Sequence, residues 1–297
     1  MHRPDELPVT AHHSHVFAQS PLLRAAVMLI TAAILALIAG LLMVWWRQER
    51  ITFQPPPPPF DEPVGAHRVA YTATDGTKLF AFMIGESTND RGLVLAFHGN
   101  ADLAVWQIPW ALELASRSGW RVMLAEYRGY GGAPGNPSYA NAQMDARAAL
   151  AYATDSLGMP LSRTVFFGHS LGSAVVSELA AESPPASLLL QSPFTSARDM
   201  VRIIIAKPIA MAWNVISRIH YDTESRVTIL DAPVHVVHGD RDLIVPVRMG
   251  RRVYEASRVK GQLLIISGAG HNDLEERGGD RYWNWLLSAL TDAVAVR

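Results

Sequence analysis

The sequence predicts a doubly wound α/β domain with a mostly parallel sheet, preceded by one N-terminal transmembrane helix. Three observations lead to this prediction. Residues 25–46 form an apolar segment without a single charge. Beyond residue 65, short apolar and β-branched runs alternate with helical patterns, as they do in α/β sheets. One such run ends in Gly168-His169-Ser170-Leu171-Gly172, a tight turn between a strand and a helix.

The composition excludes several classes of function. The chain has 297 residues and a formal net charge of −1, so it lacks the basic surplus of a nucleic-acid-binding protein. It contains no cysteine, which excludes thiol catalysis, disulfide bonds and cysteine-ligated zinc. The absence of cysteine is also compatible with an oxidising compartment. We expect no metal, no organic cofactor and no nucleic-acid partner.

The first 64 residues divide into three predicted segments. Residues 1–24 are a polar tail whose histidines are expected to be solvated rather than to bind a metal. A helix over residues 25–46 would span about 33 Å at about 1.5 Å per residue, enough to cross the hydrocarbon core. It runs into Trp45-Trp46-Arg47 without a small-residue cleavage site, which indicates an uncleaved anchor. The five prolines from Pro55 to Pro59 then predict a semi-rigid spacer over residues 47–64.

The charges that flank the apolar segment leave its orientation open. Arg24 on one side faces Arg47 and Arg50 on the other, so positive charge does not identify the cytoplasmic end. The spacer, the short tail and the absence of cysteine favour a cytoplasmic N-terminus. We therefore expect a single-pass membrane protein whose catalytic domain faces the periplasm, if the source is bacterial.

Residues 65–297 are expected to form one domain. Strands are predicted at Arg68–Thr74, Leu79–Ile84, Leu93–Phe97, Arg121–Ala125, Thr164–Phe167, Ser187–Leu190, Val234–His238 and Gln262–Ile266, and helices near 103–117, 138–157, 172–182, 246–258 and 280–295. The first two strands are close enough to form an antiparallel hairpin at one edge, whereas the middle strands are continuously apolar, as buried parallel strands are. Residues 194–226 form a helical, cap-like insertion whose apolar side chains either line an acyl pocket or pack on the core.

The turn around Ser170 carries the strongest chemical signal. Gly-x-Ser-x-Gly between a strand and a helix is typical of a nucleophile elbow, in which the serine adopts a strained backbone above the sheet. Larger side chains at positions 168 and 172 would collide, which explains the two glycines. Ser170 is therefore the predicted nucleophile.

A serine hydroxyl becomes reactive when a base accepts its proton and an acid orients that base. The predicted base is His271, in a glycine-rich loop after the last strand. Asp240 and Asp242 both follow the preceding strand, and spacing alone does not choose between them. The predicted donors to a developing oxyanion are the backbone N–H groups of Leu171 and Asn100.

Three features close to these loops are expected to be structural. His98 is expected to hold its loop rather than to act as a second base. Glu126 precedes Ser170 in the chain, which argues against a role as the triad acid. The glycine-rich loop 127–135 lacks the Lys-Ser/Thr of a phosphate-binding loop, so it is expected to be a turn beside the site.

With these motifs the chain resembles the α/β-hydrolase superfamily, and within it the membrane-anchored hydrolase-domain proteins that include protein depalmitoylases and their bacterial relatives. The matching segments are Phe97–Ala101, Tyr127–Gly131, Gly168–Gly172, Ser192–Phe194, His238–Asp242 and Gly268–Asp273. The resemblance implies the α/β-hydrolase fold, with Ser170 as nucleophile, Asp242 as acid and His271 as base, and with Asn100 and Leu171 as oxyanion donors. The known depalmitoylases attach through palmitoylated cysteines, which this chain lacks, so their substrate is not implied.

The function predicted from the sequence is that of a membrane-anchored serine hydrolase. It would cleave a carboxylic ester or thioester through an acyl-serine intermediate, with the bilayer and a small-molecule or lipid-like acyl ester, or an acylated protein or peptide, as partners. Two alternatives stay open. One is a serine peptidase resembling the catalytic domain of prolyl oligopeptidases, which shares the fold and the elbow. The other is a non-catalytic membrane scaffold, against which an intact triad and oxyanion loop argue.

Overall fold

The structure is a computed structural model that describes residues 20–85, 91–204, 211, 213 and 216–295. The chain divides into two compact units, Met1–Trp46 and Arg47–Arg297. The histidines of the predicted polar tail lie outside the described residues, as does part of the predicted cap. The second unit carries all the residues for which a chemical role is predicted.

The first unit consists mainly of helix α1, Pro21–Thr52, whose last six residues belong to the second unit. Proline is tolerated at the start of a helix because its missing N–H has no intrahelical partner there. Most of the large apolar side chains from Leu22 to Trp46 are exposed. Among the described helices, α1 is long and apolar enough to cross a membrane. It extends beyond the predicted segment, residues 25–46, at both ends.

The second unit is built on one sheet, which has eight strands among the described residues. The strands are β1 (His67–Thr72), β2 (Lys78–Ile84), β3 (Leu93–Phe97), β4 (Arg121–Ala125), β5 (Thr164–His169), β6 (Ser187–Gln191), β7 (Val234–Gly239) and β8 (Lys260–Ile266). Their spatial order is β1-β2-β4-β3-β5-β6-β7-β8. Strands β3 to β8 pair in parallel, whereas β1 and β2 are antiparallel. The predicted α/β class and the hairpin at one edge are therefore confirmed.

Helices cover both faces of this sheet. They are α2 (Ile108–Ser118), α3 (Tyr139–Ala151), α4 (Leu171–Glu182), α5 (Ala197–Ile204), α6 (Thr223–Val227), α7 (Val247–Ala256), α8 (Leu274–Gly278) and α9 (Asp280–Ala295). Every residue of β3 is buried. Since successive side chains of a strand point to opposite faces, a strand buried throughout must be covered on both sides. The carboxyl ends of the parallel strands are thus the edge where loops reach solvent and where a site can form.

Residues 47–64 differ from the predicted spacer. Helix α1 continues to Thr52, and Gln48 and Phe53 are buried. Farther along, Asp61 accepts a hydrogen bond of 2.7 Å from the indole N–H of Trp106. The boundary expected at residue 65 is therefore corrected to residue 47, because polar and aromatic side chains before and after the prolines find partners on the domain. We call residues 47–61 the strap.

The predicted insertion, residues 194–226, is helical near both ends, where α5 and α6 lie. Phe194, Ile219 and Tyr221 are buried, so part of the insertion packs on the core. Ile203 and Met211 are instead exposed. Met200, Trp213 and Ile216 are half-buried, whereas Ile205 and Ile209 lie outside the described residues, so the role of the insertion as a cap stays a prediction.

Candidate active site

The nucleophile elbow lies where β5 ends and α4 begins. Ser170 precedes α4 with φ 52° and ψ −111°, a conformation that a residue with a β-carbon holds only when its surroundings impose it. A β-carbon on Gly168 would lie 2.4 Å from the carbonyl oxygen of Gly172, and one on Gly172 would lie 2.1 Å from the carbonyl oxygen of Phe97. The collision predicted from the sequence is therefore confirmed, and Ser170 sits at the tip of a strained turn.

The predicted oxyanion donors flank this serine. Leu171 is the first residue of α4, so its N–H has no partner within the helix. The loop after β3 passes directly beside the elbow, because a β-carbon on Gly99 would lie 3.5 Å from Cβ of Ser170. Asn100, the next residue, is half-buried. The structure thus brings the loop of Asn100 and the N-terminus of α4 to the same side chain.

The loop after β7 and the loop after β8 meet through another close approach of backbone. A β-carbon on Gly239 would lie 2.3 Å from a carbonyl oxygen of the second loop. Across this contact, Oδ2 of Asp242 accepts a 2.6 Å hydrogen bond from Nδ1 of His271. Asp240 is exposed, and its Oδ1 accepts a 2.7 Å hydrogen bond from the N–H of Gly268. The carboxylate at His271 is therefore that of Asp242, whereas Asp240 holds the histidine loop in place.

Asp242 is a buried carboxylate that receives four hydrogen bonds. Its Oδ1 accepts the backbone N–H groups of Ile244 and Val245 at 2.9 and 2.8 Å. Its Oδ2 lies near His271 and also 3.1 Å from Nε2 of His238. Burial opposes ionisation, but the hydrogen bonds from His238 and His271 hold the pKa of Asp242 below its ordinary value. Asp242 is therefore ionised at neutral pH.

His238 is a contributor that the sequence analysis missed. Its Nε2 faces two acceptors, Asp242 and the carbonyl oxygen of Val245 at 2.9 Å, so this nitrogen carries the hydrogen. Its Nδ1 is buried without a hydrogen-bond partner in the described part of the chain and lies against Gly250. His238 is therefore a hydrogen-bond donor to the acid. Its place at the start of the His-Gly-x-x-Asp pattern was the available signal.

The carbonyl oxygen of His271 joins its loop to the elbow. It accepts hydrogen bonds of 3.3 Å from Oγ of Ser192 and from Nε2 of His169. The rings of His169 and His271 have centroids 5.1 Å apart. Burial, reinforced by the nearby His271, lowers the pKa of His169 to about 4. Among the described contacts, the Ser170 hydroxyl makes no hydrogen bond to His271. Catalytic bonds of this kind are often long before substrate binds.

A buried ion pair lies beneath the loop of Asn100. Nε2 of His98 is 2.7 Å from Oε1 of Glu126, and Nδ1 of His98 donates to the carbonyl oxygen of Gly99 at 2.8 Å. Although burial opposes the charged ring, Glu126 raises the pKa of His98. The other carboxylate oxygen of Glu126 accepts the N–H of Ala104 at 3.1 Å. The structural roles predicted for His98 and Glu126 are confirmed by this pairing.

The glycine-rich loop 127–135 packs beside the site, as predicted. A β-carbon on Gly131 would meet the carboxylate of Glu126, so the loop approaches the buried ion pair closely. The buried hydroxyl of Tyr130 donates to Oδ1 of Asn100 at 2.8 Å. This loop therefore supports the loop after β3 and holds no feature of a phosphate site.

A small pocket lies between the loop after β3 and the elbow strand. Its walls include Phe97, His98, Gln107, Trp110, Phe167 and His169. The rings of Trp110 and Phe167 are in contact, with centroids 4.5 Å apart and their planes tilted by 31°. The lining of this pocket is largely apolar. Within the described residues, no group of three or more His, Asp or Glu side chains is arranged to hold a metal ion.

Comparison with known proteins gives a consistent picture. The family model "Serine aminopeptidase, S33" matches residues 88–224. An uncharacterized protein of Mycobacterium tuberculosis is 33% identical over 275 residues, which cover 89% of this chain and 95% of the relative. The alpha/beta hydrolase domain-containing protein 17B of Homo sapiens is 28% identical over 203 residues, 68% of each chain. A Pyrococcus furiosus esterase superimposes with a TM-score of 0.63 at 18% identity, covering 81% of this chain and 97% of that chain.

The esterase shares the fold, and the two relatives extend across most of the chain. Together with the strand order and the elbow at Ser170, these similarities confirm the resemblance predicted from the motifs. The chain belongs to the α/β-hydrolase superfamily.

Proposed function

We propose that this hydrolase-superfamily protein cleaves a carboxylic ester or thioester through an acyl-serine intermediate. The observation that carries the proposal is the 2.6 Å hydrogen bond between Nδ1 of His271 and the buried carboxylate of Asp242, beside the elbow of Ser170. A carboxylate bound at Nδ1 leaves Nε2 as the basic nitrogen of the ring. That is the tautomer needed to deprotonate a serine hydroxyl.

The proposed reaction has two halves. Oγ of Ser170 attacks the acyl carbon while its proton passes to Nε2 of His271, and Asp242 stabilises the imidazolium. His271 then gives the proton to the departing alkoxide or thiolate, and the acyl group remains on Ser170. Water next attacks the acyl-serine while His271 accepts a proton from it, and His271 then gives this proton to Oγ of Ser170 as the carboxylic acid leaves, which restores both residues.

Negative charge develops on the acyl oxygen in both halves. We assign its stabilisation to the N–H groups of Asn100 and Leu171. Leu171 begins the 12-residue helix α4, so the positive end of the helix dipole also faces the site. Removing one oxyanion donor from an enzyme of this type costs about 10²–10³ in kcat.

A serine peptidase is the second candidate, because the matching family model is described as a serine aminopeptidase. An aminopeptidase must bind the positive α-ammonium group of its substrate. Around the pocket that the described residues form, no carboxylate lines the wall, and the nearby Glu126 is engaged by His98. The half-buried Asp102 accepts a 2.8 Å hydrogen bond from Nε2 of Gln107 in that wall, so this carboxylate is also engaged, and we take the ester or thioester as the first candidate.

Covalent labelling of the purified full-length protein by a fluorophosphonate tests the proposal. Wild type should be labelled, Ser170→Ala should not, and Ser177→Ala, which changes a buried serine of the helix that follows Ser170, should behave as wild type. Triad variants lose about 10⁴–10⁶ in rate, so the loss should be complete on the assay timescale. Labelling that persists in Ser170→Ala refutes the assignment. A wild type that is never labelled refutes both hydrolytic candidates and leaves the scaffold.

Substrate series separate the two hydrolytic candidates. We expect p-nitrophenyl esters of increasing chain length and acyl thioesters to be cleaved faster than aminoacyl p-nitroanilides. The reverse preference would identify a peptidase.

We also propose that α1 anchors the protein in a membrane with a single pass, and that the catalytic domain faces the periplasm if the source is bacterial. The length of α1 and its exposed apolar side chains support the anchor. A spanning helix resists extraction by sodium carbonate, whereas a cleaved signal sequence would leave a soluble protein. Protease added to intact spheroplasts should digest the domain, and survival until lysis would place the domain in the cytoplasm.

A further inference from the structure

The strap, residues 47–61, binds the loop after β3 through the side chain of Asn100. Nδ2 of Asn100 donates to the carbonyl oxygen of Thr52, and its Oδ1 accepts the N–H of Gln54 at 2.9 Å. The hydroxyl of Tyr130 donates to the same Oδ1 at 2.8 Å. A carboxamide offers two donor and two acceptor positions, and these three bonds occupy all but one of them. The side chain of Asn100 is thus committed to supporting its loop.

The strap is itself held on the domain by buried side chains. Phe53 is 2% exposed and Gln48 is 1% exposed. Oε1 of Gln48 accepts the N–H of Arg218 at 2.8 Å, and the Glu49 carboxylate accepts the N–H of Tyr139 at 3.1 Å. These contacts reach two separate parts of the domain. The two backbone groups that bind Asn100 are therefore presented in fixed positions.

The backbone at Asn100 needs such support. The next residue, Ala101, has φ 53°, a left-handed conformation that is unfavourable for a residue with a β-carbon. A conformation of this kind persists only where the surrounding structure holds it. The direction of the Asn100 N–H, the proposed oxyanion donor, depends on this short stretch of backbone.

We infer that the strap positions the oxyanion hole. This inference rests on the proposed function and assigns Asn100 two tasks, with its N–H directed at the acyl oxygen and its side chain bound to the strap. Thr52, Gln54 and Phe53 are positioning residues that act through Asn100. Since the strap begins directly after Trp46 in the sequence, the residues that lead out of the proposed anchor also complete the catalytic site.

Two variants of the full-length protein in detergent micelles test this role from opposite sides. Asn100→Ala removes the side chain that binds the strap but keeps the backbone N–H. Phe53→Ala loosens the strap and leaves Asn100 intact. Leu290→Ala is the matched control, because it opens a cavity at an equally buried position in α9, which packs on β6 and β8. Each protein is assayed for kcat and KM on a short p-nitrophenyl ester and for hydrogen–deuterium exchange.

We expect kcat to fall about 10- to 100-fold in Asn100→Ala and Phe53→Ala, with KM within about two-fold of wild type, because the donor serves the transition state. The backbone amides of Gln54 and of residues 98–102 should exchange faster than in wild type in both variants. In Leu290→Ala their exchange rates should equal those of wild type. Exchange that stays at the wild-type level in Asn100→Ala overturns the inference. Faster exchange with an unchanged kcat in Asn100→Ala or Phe53→Ala also overturns it. A loss of kcat in Leu290→Ala as large as in these two variants would do the same. Wild type that cleaves no ester or anilide refutes the proposed function instead, while exchange still decides whether the strap holds the loop.

Discussion

The elbow of Ser170 and the loop of Asn100 lie side by side, yet different parts of the chain hold them. The elbow is fixed by its own glycines, whose missing β-carbons allow backbone contacts that no other residue permits. The loop of Asn100 is held by a carboxamide that binds residues 46 and 48 positions away in sequence. One half of the site is therefore encoded locally, and the other depends on contacts with a segment that is distant in sequence.

The acid–base pair belongs to the local half. Gly239 brings the two loops together much as Gly172 closes the elbow. Substitutions in this half should therefore act directly on the triad or on a single backbone contact, whereas substitutions around Asn100 should act indirectly, through the hydrogen bonds that hold its loop. The predictions below separate these two behaviours.

The largest effect is expected for the acid. Asp242→Asn should lower kcat about 10⁴-fold, because the amide neither stabilises the imidazolium nor fixes the tautomer of His271. Asp240→Asn should change kcat less than about three-fold, because the amide oxygen can still accept the hydrogen bond from the N–H of Gly268. Steady-state kinetics of both variants check the ranking, and a greater loss in Asp240→Asn would transfer the acid role to that residue.

The next effect concerns the steric basis of the elbow. Gly172→Ala should lower the free energy of unfolding by more than about 3 kcal/mol, because its β-carbon would meet the backbone oxygen of Phe97, which has no room to move. Gly158→Ala is the control, since φ there is 63° but no atom lies within 4 Å of the added carbon. It should cost about 1–2 kcal/mol for the left-handed backbone alone. Equal thermal shifts for the two variants would contradict the steric argument.

These predictions concern features that the sequence made accessible. The strands β3 to β7 were predictable because burial on both faces leaves continuous apolar runs, and Ser170 was predictable because its strain needs glycines at fixed spacing. The resemblance to the α/β-hydrolase superfamily, which the relatives and the structure confirm, extended the fold prediction from the elbow to the whole domain. The residues alone left Asp240 and Asp242 open; the resemblance implied Asp242, and the folded loops place the Asp242 carboxylate at His271.

The strap could not be predicted in the same way. Gln48, Glu49 and Gln54 are polar residues next to a proline run, a composition that is typical of a solvated linker. Their partners, Tyr139, Arg218 and Asn100, lie far along the chain, and no periodicity links them. His238 begins the His-Gly-x-x-Asp pattern, but spacing does not show that the loop curls back and brings Asp242 to its Nε2.

A smaller effect is expected in the strands that carry the acid and base loops. His235 of β7 is fully buried, and its Nδ1 accepts the N–H of Gln262 from β8 at 3.2 Å. Burial lowers the pKa of His235 to about 4, below the value of about 6.5 in the unfolded chain. The unfolded protein then binds more protons between these values, so stability is complete above about pH 6.5 and declines towards pH 4.

His235→Asn should make this decline shallower, by at most about 1.4 kcal/mol per pH unit. A slope should remain, since the pKa of His169 is also lowered to about 4. Chemical denaturation at a series of pH values measures the slope independently of any loss of absolute stability. A slope that the substitution leaves unchanged would mean that His235 is protonated in the folded protein or absent from the linkage.

The smallest expected effect on kcat is also the most specific test of how the loop of Asn100 is held. Tyr130→Phe removes one of the three hydrogen bonds on Asn100 and leaves the strap and the backbone intact. A neutral hydrogen bond contributes about 1 kcal/mol net, so kcat should fall by no more than about five-fold, with KM unchanged. Tyr71→Phe removes a comparable buried hydroxyl, which donates to the carbonyl oxygen of Phe80 at 3.3 Å, and should leave kcat unaltered. If both variants lose activity equally, the loss reflects general packing. If only Tyr130→Phe loses activity, the loop of Asn100 depends on its network, as the elbow does not.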